Sequence, residues 1–310
     1  MPAYNGAATL ARAYASIAAQ TWTDWEFVIC DDVSSDDTVA QCEALAARDP
    51  RVRFVRNESN LGAFGTVARL LSIARGRYFC WVCTDDYWHP EFLAKLVRAL
   101  ESRPDSVAAM GATEMFADHA GEHRARVMRI PPQHVPQNRS RLANAVALLT
   151  NFDAPSEETT GKNALHHFIH GLVERTLFAE TLRCFDGAPL SDREFVSVWA
   201  LAGTLVYVDE VLFYKDTPKL FSTGGKGGEP QELVDKRVRV AKDKKARERL
   251  VARGVRTAAA YYRSTWISEP LRTAAAAFAV SLGLARSATR IAARARAWAR
   301  SRSVSVSSSR

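Results

Sequence analysis

In the first hundred residues, short continuous apolar runs alternate with segments whose apolar residues recur at helical spacing, and this alternation predicts an α/β architecture. Short apolar runs at residues 26–30, 51–56 and 77–82 are typical of strands in a buried sheet. The segments between these runs carry apolar residues at helical spacing. Strands and helices that alternate over short loops predict a right-handed parallel sheet covered by helices.

The first helix of this pattern has no strand before it. Residues 1–6 read as a loop, and Leu10, Tyr14 and Ile17 then mark one face of a helix. Because a sheet of this type normally begins with a strand, we expect an apolar strand of about five or six residues upstream of Pro2.

Two of the predicted strands end in a pair of adjacent carboxylates. Asp31 and Asp32 follow the run 26–30, and Asp85 and Asp86 follow the run 77–82. In open α/β sheets, ligands bind at the carboxyl ends of the strands. Paired carboxylates repel each other and are stabilised by a hard cation such as Mg²⁺ or Mn²⁺, which often bridges substrate phosphates. The alternative is a helix-capping aspartate with a solvated neighbour.

The middle of the chain is less regular. A strand is predicted at residues 106–111, and the polar stretch 118–141 lacks periodicity, which favours a long functional loop. His166 and His170 could suggest a metal site, but apolar neighbours favour strand and core there.

Asp192 lies at the start of a predicted helix, where the dipole keeps it ionised. The simplest interpretation of Asp192 is a carboxylate at a helix terminus.

Charge and cysteine content narrow the class of protein. The net charge is +8, yet 16 Lys and Arg against 3 Asp and Glu lie from residue 240 onward, so the preceding body is mildly acidic. An acidic body argues against nucleic acid as a partner. Five cysteines without a framework spacing indicate a reducing, cytoplasmic compartment. Cys80 and Cys83 read as buried thiols on opposite sides of a strand. No apolar segment is long enough for a spanning helix or a signal peptide.

The last ninety residues are predicted to be separate from the body. Residues 221–230 read as a Gly-rich linker, 231–300 as a helical basic extension and 301–310 as a disordered tail. The segment 275–300 forms an amphipathic helix whose polar face carries five arginines, namely Arg286, Arg290, Arg294, Arg296 and Arg300. Such a helix suits an anionic membrane surface, and a helix packed on the body is equally compatible with the pattern.

An ordered set of short motifs resembles the family 2 glycosyltransferases, which are enzymes of the GT-A fold. The motifs are Pro2-Ala3-Tyr4-Asn5, Asp31-Asp32 with Val-Ser-Ser-Asp-Asp-Thr, Asn60-Leu61-Gly62, Ala68-Arg69 and Thr84-Asp85-Asp86. Their order and spacing match the family over roughly residues 1–216. The resemblance implies a doubly wound mixed sheet with a Rossmann-like nucleotide-binding half, and a GT-A domain over residues 1–220.

The resemblance also implies roles for individual residues. Nucleotide binding is expected of Pro2, Ala3, Tyr4, Asn5, Asp31, Asp32, Arg69 and Asp85. Asp86 is expected to bind Mn²⁺ or Mg²⁺ on the donor diphosphate, and Asp192 to act as catalytic base. Two positions depart from the family pattern: Cys83 replaces the first carboxylate of the Asp-x-Asp-Asp motif, and Ser191 replaces the glutamate that precedes the base.

Together these features predict a metal-dependent, inverting glycosyltransferase. It would move a sugar from a nucleoside diphosphate sugar, with uridine favoured, to a hydroxyl of a glycan or lipid-linked acceptor in cell-surface polysaccharide synthesis. We expect a cytoplasmic protein, peripheral at the inner face of the membrane. Two other classes stay open: a nucleotidyltransferase on a related sheet, and an inactive scaffold recruited through the basic helix. Consumption of UDP-sugars with metal present would discriminate between them.

Overall fold

The apolar runs of the first sixty residues form a parallel three-stranded sheet in the computed structural model. Its strands are β1 (Pro2–Ala3), β2 (Phe27–Asp31) and β3 (Val52–Arg56), in the order β1-β2-β3. Every residue of β2 is buried, as its uninterrupted apolar run requires. The stretch 1–6 therefore contains a strand and is not only the predicted loop; a strand of two residues is too short to show alternation. The expected strand upstream of Pro2 stays a prediction.

Three helices connect and cover this sheet: α1 (Leu10–Ala18), α2 (Thr38–Arg48) and α3 (Gly62–Ile73). The predicted face of α1 is buried, with Leu10 and Ala13 fully inaccessible to solvent. The Met1 amine donates to the carbonyl oxygen of Val28 at 2.8 Å, so the β1-β2 contact extends to the first residue.

The remaining strands form a second, mixed sheet. They are β4 (Tyr78–Cys80), β5 (Tyr87–Trp88), β6 (Ser106–His119), β7 (Glu122–Met128), β8 (Leu172–Glu174) and β9 (Thr204–Asp216). The order is β4-β8-β6-β9-β5, with β7 paired to β6. The long strands β6 and β9 run parallel, and the other pairs are antiparallel.

The position of β4 corrects the prediction that the first three predicted strands share one parallel sheet. β4 pairs antiparallel with β8 and belongs to the second sheet. A cavity of about 730 Å³ lies beside it, lined by Met1 and Val28 of the first sheet and by Phe79 and Leu172 of the second. Among the described strands β1 pairs only with β2, so the two sheets are separate.

The second sheet is packed by α4 (Phe92–Glu101), a 3-10 helix (Gly161–His170), α5 (Arg175–Arg183) and α6 (Asp192–Ala202). Aromatic side chains fill the space between these elements. Those that are almost completely buried are Phe92, Phe116, Phe168, Phe178, Phe195, Trp199 and Phe213. The rings of Phe178 and Trp199 lie 5.1 Å apart, which joins α5 to α6.

The polar stretch 118–141 is not the irregular loop that the sequence predicts. Its first part is the β6–β7 hairpin, and two short 3-10 turns follow at Pro132–His134 and Pro136–Asn138. The first six residues of β7 are exposed on both faces of the strand. Without a buried face, a strand shows no alternation of polar and apolar residues, so periodicity could not reveal it.

The structure describes residues 1–119, 122–140, 143–144, 148, 161–183 and 192–217. These residues belong to one compact unit, Met1–Arg237; a second unit is Val238–Arg310. The predicted linker, basic helical extension and disordered tail lie outside the described residues. Within the described ranges, no helix is both long and apolar enough to cross a membrane.

Candidate functional site

The loop after β1 is held by the loop after β2. The backbone amide of Asn5 donates to Oγ of Ser34 at 2.9 Å, and the amide of Ser35 donates to Oδ1 of Asn5 at 2.9 Å. Asn5 has a φ of 48°, a left-handed conformation that asparagine tolerates better than most residues. These bonds fix the backbone beside Tyr4, whose side chain is 57% exposed at the rim of the sheet.

The two carboxylates at the end of β2 have different surroundings. Asp31 is fully buried, and its carboxylate accepts from the backbone amides of Val33 and Ser34 and from Nε of Arg56 at 3.1 Å. These bonds tie the loop to the end of β3. The carboxylate of Asp31 is engaged in these bonds, and its predicted contact with the nucleotide stays a prediction.

Asp32 lies in a network that faces α3. Its Oδ1 accepts from Nδ2 of Asn57 at 2.7 Å and from the amide of Leu61 at 2.8 Å. Nη1 of Arg69 donates to Oδ1 of Asn57 at 2.7 Å, so Asn57 bridges two of the predicted nucleotide-binding residues. Burial raises the pKa of Asp32, but the hydrogen bonds from Leu61 and Asn57 outweigh it and bring the pKa below its ordinary value. Asp32 is thus a buried, ionised acceptor.

The loop after β1 contacts the loop that carries the second carboxylate pair. A Cβ on Gly6 would come within 2.8 Å of Cγ2 of Thr84, so only glycine permits this approach. Nη2 of Arg12 in α1 donates to the carbonyl oxygen of Asp85 at 2.6 Å and to Oδ2 of Asp216 at 3.1 Å. The structure thereby brings both predicted Asp pairs to one rim.

Asp86 is buried with little charge compensation. It is 1% exposed, its Oδ1 accepts from the backbone amide of Asp216 at 3.1 Å, and its Oδ2 lies 3.8 Å from Nζ of Lys215. Burial raises the pKa of Asp86 to about 6, although Lys215 acts in the opposite direction. A buried carboxylate of this kind is stabilised by a second positive charge in addition to Lys215, and a divalent metal ion would supply that charge.

Two further ligand types lie beside Asp86. Ligand atoms of Cys83, Asp86 and His170 are all within 4.8 Å of one another. The prediction that places Cys83 on a strand is wrong, because β4 ends at Cys80. His170 belongs to this candidate cluster, and His166 does not. The donor set of thiol, carboxylate and imidazole fits a metal ion.

Asp192 is the first residue of α6, as predicted, and is half-buried. Three residues later, the ring of Phe195 stacks on Phe64 of α3 at 5.9 Å with an interplanar angle of 4°. Phe64 also contacts Trp81, four residues before Asp85, with ring centroids 5.3 Å apart. The first turn of α6 therefore packs against the elements that carry the rim. The role of Asp192 as a base stays a prediction.

Comparison with known proteins identifies the family. The model of Glycosyl transferase family 2 matches residues 1–155, which is half of the chain. The chain belongs to this family. The matched residues include both Asp pairs, Asn57 and Arg69. The predicted resemblance and the predicted α/β fold are both confirmed.

Individual relatives of this family 2 glycosyltransferase agree. WfgD of Escherichia coli, a UDP-Glc:alpha-D-GlcNAc-diphosphoundecaprenol beta-1,3-glucosyltransferase, is 36% identical over 88 residues, which are 28% of this chain and 34% of the relative. The putative glycosyltransferase EpsE of Bacillus subtilis is 31% identical over 134 residues, which are 43% and 48% of the two chains. The matches thus span between a third and a half of these relatives.

A solved structure supports the fold. The S. aureus TarS fragment 1-349 in complex with UDP superposes with a TM-score of 0.52 at 16% identity, over 82% of this chain and 63% of that chain. At this identity the likeness concerns the fold alone, and it supports the GT-A architecture of this family 2 glycosyltransferase.

Two residues of the site, Asn57 and Lys215, were not predicted from the sequence, and His170 was considered for a metal site only together with His166. Asn57 follows β3 and could have been found, because a polar residue at a strand's carboxyl end is a recognisable signal. Lys215 and His170 lie 129 and 84 positions from Asp86, and no local pattern joins them to it. Only the pairing of β4 with β8 and of β5 with β9 brings them together.

Proposed function

We propose that the chain catalyses metal-dependent transfer of a sugar from a nucleoside diphosphate sugar, preferably a UDP-sugar, to an acceptor hydroxyl with inversion. One observation carries the proposal: the Asp32-Asn57-Arg69 network and the buried carboxylate of Asp86 lie on one rim, joined through the contact of Gly6 with Thr84. Such a rim offers an ionised hydrogen-bond acceptor for a nucleotide. It also offers a carboxylate that can hold a divalent cation on the diphosphate of that nucleotide.

The donor nucleotide is proposed to lie between the loops after β1 and β3. The exposed ring of Tyr4 provides an apolar face for a base, and Asp32 provides an acceptor for a base N–H group. Arg69 is held by Asn57, so its guanidinium is oriented before the ligand arrives. Asp85 is exposed beside this space and remains a candidate contact for the nucleotide.

Asp86 would hold Mn²⁺ or Mg²⁺ on the donor diphosphate. A divalent cation there supplies charge neutralisation for the departing nucleoside diphosphate. The carboxylate of Asp86 would hold this cation in a defined position, because the backbone amide of Asp216 donates to Oδ1 of Asp86 and fixes that oxygen. Lys215 adds a positive charge 3.8 Å from the other oxygen.

Asp192 is proposed to accept the proton of the acceptor hydroxyl as the glycosidic bond forms. Its position at the first residue of α6 favours the ionised carboxylate, since the helix N-terminus carries partial positive charge. Loss of a general base typically costs about 10²- to 10⁴-fold in rate.

For the acceptor, we propose a glycan or a lipid-linked hydroxyl at the inner face of the membrane. The name of WfgD states a diphosphoundecaprenol-linked acceptor for that relative. In the present chain, the five arginines that the sequence predicts on one face of segment 275–300 would meet anionic lipid. Co-sedimentation with anionic vesicles should be strong at low salt and fall at high salt. A variant with all five arginines replaced by glutamine should lose binding; equal binding by both chains would contradict membrane contact.

Thermal unfolding with a panel of nucleotide sugars, each with and without Mn²⁺, tests the donor assignment. A ligand that binds only the folded state raises the unfolding temperature by mass action. We expect UDP-sugars to give the largest rise, and only with the metal present. A panel in which no nucleotide sugar changes the unfolding temperature would contradict the proposal.

A further inference from the structure

The cluster of Cys83, Asp86 and His170 is built by the second sheet. Cys83 and Asp86 lie three residues apart on the loop between β4 and β5. His170 ends the 3-10 helix that precedes β8, and the pairing of Cys80 with Leu172 brings this helix end to the loop. The thiol of Cys80 contacts the carbonyl oxygen of His170 at 3.4 Å. The imidazole of His170 stacks on Phe213 of β9 at 5.2 Å, which fixes the ring.

A positive charge already lies at this cluster. Nζ of Lys215 is 3.1 Å from Nε2 of His170 and 3.8 Å from Oδ2 of Asp86. Burial and the neighbouring Lys215 hold the pKa of His170 well below its ordinary value, so the ring is neutral and can offer a lone pair. The ammonium of Lys215 thus lies beside both His170 and Asp86, and a metal ion would compete with it.

The identity of the three ligands bears on which metal fits. Carboxylate oxygens alone suit Mg²⁺ and Mn²⁺, whereas thiolate and imidazole favour Zn²⁺ and related borderline ions. Ligand atoms around a tetrahedral zinc ion lie roughly 3.5 Å apart, so atoms within 4.8 Å need only small side-chain shifts to close on the ion. Burial raises the pKa of Cys83, so metal binding would displace the thiol proton to solvent.

We propose that Cys83, Asp86 and His170 together hold the divalent cation assigned above to Asp86, in a three-ligand site that binds Zn²⁺ or Co²⁺ more tightly than Mn²⁺ or Mg²⁺, with Lys215 as the competing cation. Three protein ligands leave a fourth position for an oxygen of the donor diphosphate, as catalytic zinc sites leave one open. The proposal rests on the proposed function only for this fourth ligand. Cys83, which stands where the resembling motif has a carboxylate, would then be a change of ligand and of metal preference.

Titration of the full chain with Co²⁺ tests the ligand set without any nucleotide. We expect a thiolate-to-cobalt charge-transfer absorption in the near ultraviolet, saturating at one equivalent of Co²⁺ and displaced by Zn²⁺ but not by Mg²⁺. Cys83→Ser should lose this absorption. The matched control is Cys80→Ser in the same C-x-x-C, since serine preserves a donor to the His170 carbonyl; it should retain the absorption.

Two further variants keep the test decisive. Lys215→Met removes the competing ammonium and should tighten Co²⁺ binding at least about tenfold. His170→Gln should weaken Co²⁺ binding while retaining the charge-transfer absorption, because the thiolate remains. Circular dichroism shows whether each variant is folded.

An absorption that persists in folded Cys83→Ser, or its absence from the unmodified chain, would overturn the proposal. Nucleotide binding by calorimetry in Mn²⁺ separates this failure from that of the proposed function. A chain that binds UDP-sugar with Mn²⁺ but shows no cobalt-thiolate absorption retains the function and refutes the ligand set. A chain that shows the absorption but has no affinity for UDP-sugar supports the ligand set and refutes the proposed function.

Discussion

The side-chain amide of Asn57 donates a 2.7 Å hydrogen bond to the carboxylate of Asp32. The oxygen of the same amide accepts from Arg69 at 2.7 Å, so one asparagine orients both an anion and a cation toward the space above the first sheet. Asp31, its neighbour in sequence, is instead bonded to its own loop and to Arg56. The two adjacent aspartates are therefore both buried, but they are bonded to different parts of the protein.

Substitution of each aspartate by asparagine should separate nucleotide binding from stability. Asp32→Asn removes the ionised acceptor, and we expect the dissociation constant for UDP to rise about 10- to 100-fold, since a hydrogen bond to a charged group contributes about 1.5–3 kcal/mol. Asp31→Asn should lower the free energy of unfolding by about 1.5–3 kcal/mol. It should change the dissociation constant for UDP less than about threefold. Calorimetry and denaturant unfolding measure both quantities; equal affinity losses in the two variants would contradict this division.

Asp192→Asn should separate binding from chemistry. Asparagine preserves size and hydrogen-bonding ability at the start of α6 but cannot accept the proton of the acceptor hydroxyl. Turnover should fall about 10²- to 10⁴-fold while donor affinity stays within a few-fold. Transfer assays and calorimetry with the donor nucleotide provide the comparison. If turnover is nearly unchanged, or if donor binding disappears, Asp192 is only a helix-terminal residue.

The burial of Asp86 predicts a pH dependence of stability in a chelator. Burial raises its pKa from 3.8 to about 6, so the folded chain holds this proton more tightly than the unfolded chain. The stabilisation is complete below about pH 4 and is lost as the pH rises through about 6, an effect of about 3 kcal/mol. Asp86→Asn should abolish this part of the pH dependence.

Asp85→Asn provides the control for that experiment because the Asp85 side chain is exposed. It should leave the pH dependence of the unfolding free energy close to that of the unmodified chain. Denaturant unfolding at intervals between pH 4 and pH 8 gives both curves. Parallel curves for the unmodified chain and Asp86→Asn would show that Asp86 is not desolvated in solution.

Periodicity predicted the elements whose burial is one-sided or complete. The run 26–30 becomes the fully buried β2, and the spacing after Gly6 becomes the amphipathic α1. The same reasoning missed β7, which has no buried face in its first six residues. It also placed β4 in the wrong sheet, because strand patterns carry no information on the partner strand.

The site was predictable where it is local in sequence. Both Asp pairs were predictable because they follow apolar runs, whereas Asp192 was singled out only by the family resemblance. The ammonium of Lys215 beside Asp86 was not predictable, since it depends on the pairing of Trp88 with Phe213 across more than 120 residues. Cys83 was wrongly placed on a strand because the strand pattern was extended beyond Cys80, where β4 ends.

The central claim is that this family 2 glycosyltransferase cleaves a nucleoside diphosphate sugar at the rim formed by Asp32 and Asp86. The most direct test is to incubate the chain with a panel of nucleotide sugars and divalent cations and to identify the released nucleotide. The assay counts transfer of the sugar to water as release, so it needs no acceptor. We predict release of nucleoside diphosphate, strongest with UDP-sugars, lost in chelator and in Asp86→Asn. Release of pyrophosphate, or no release from any donor with any cation, would contradict the account.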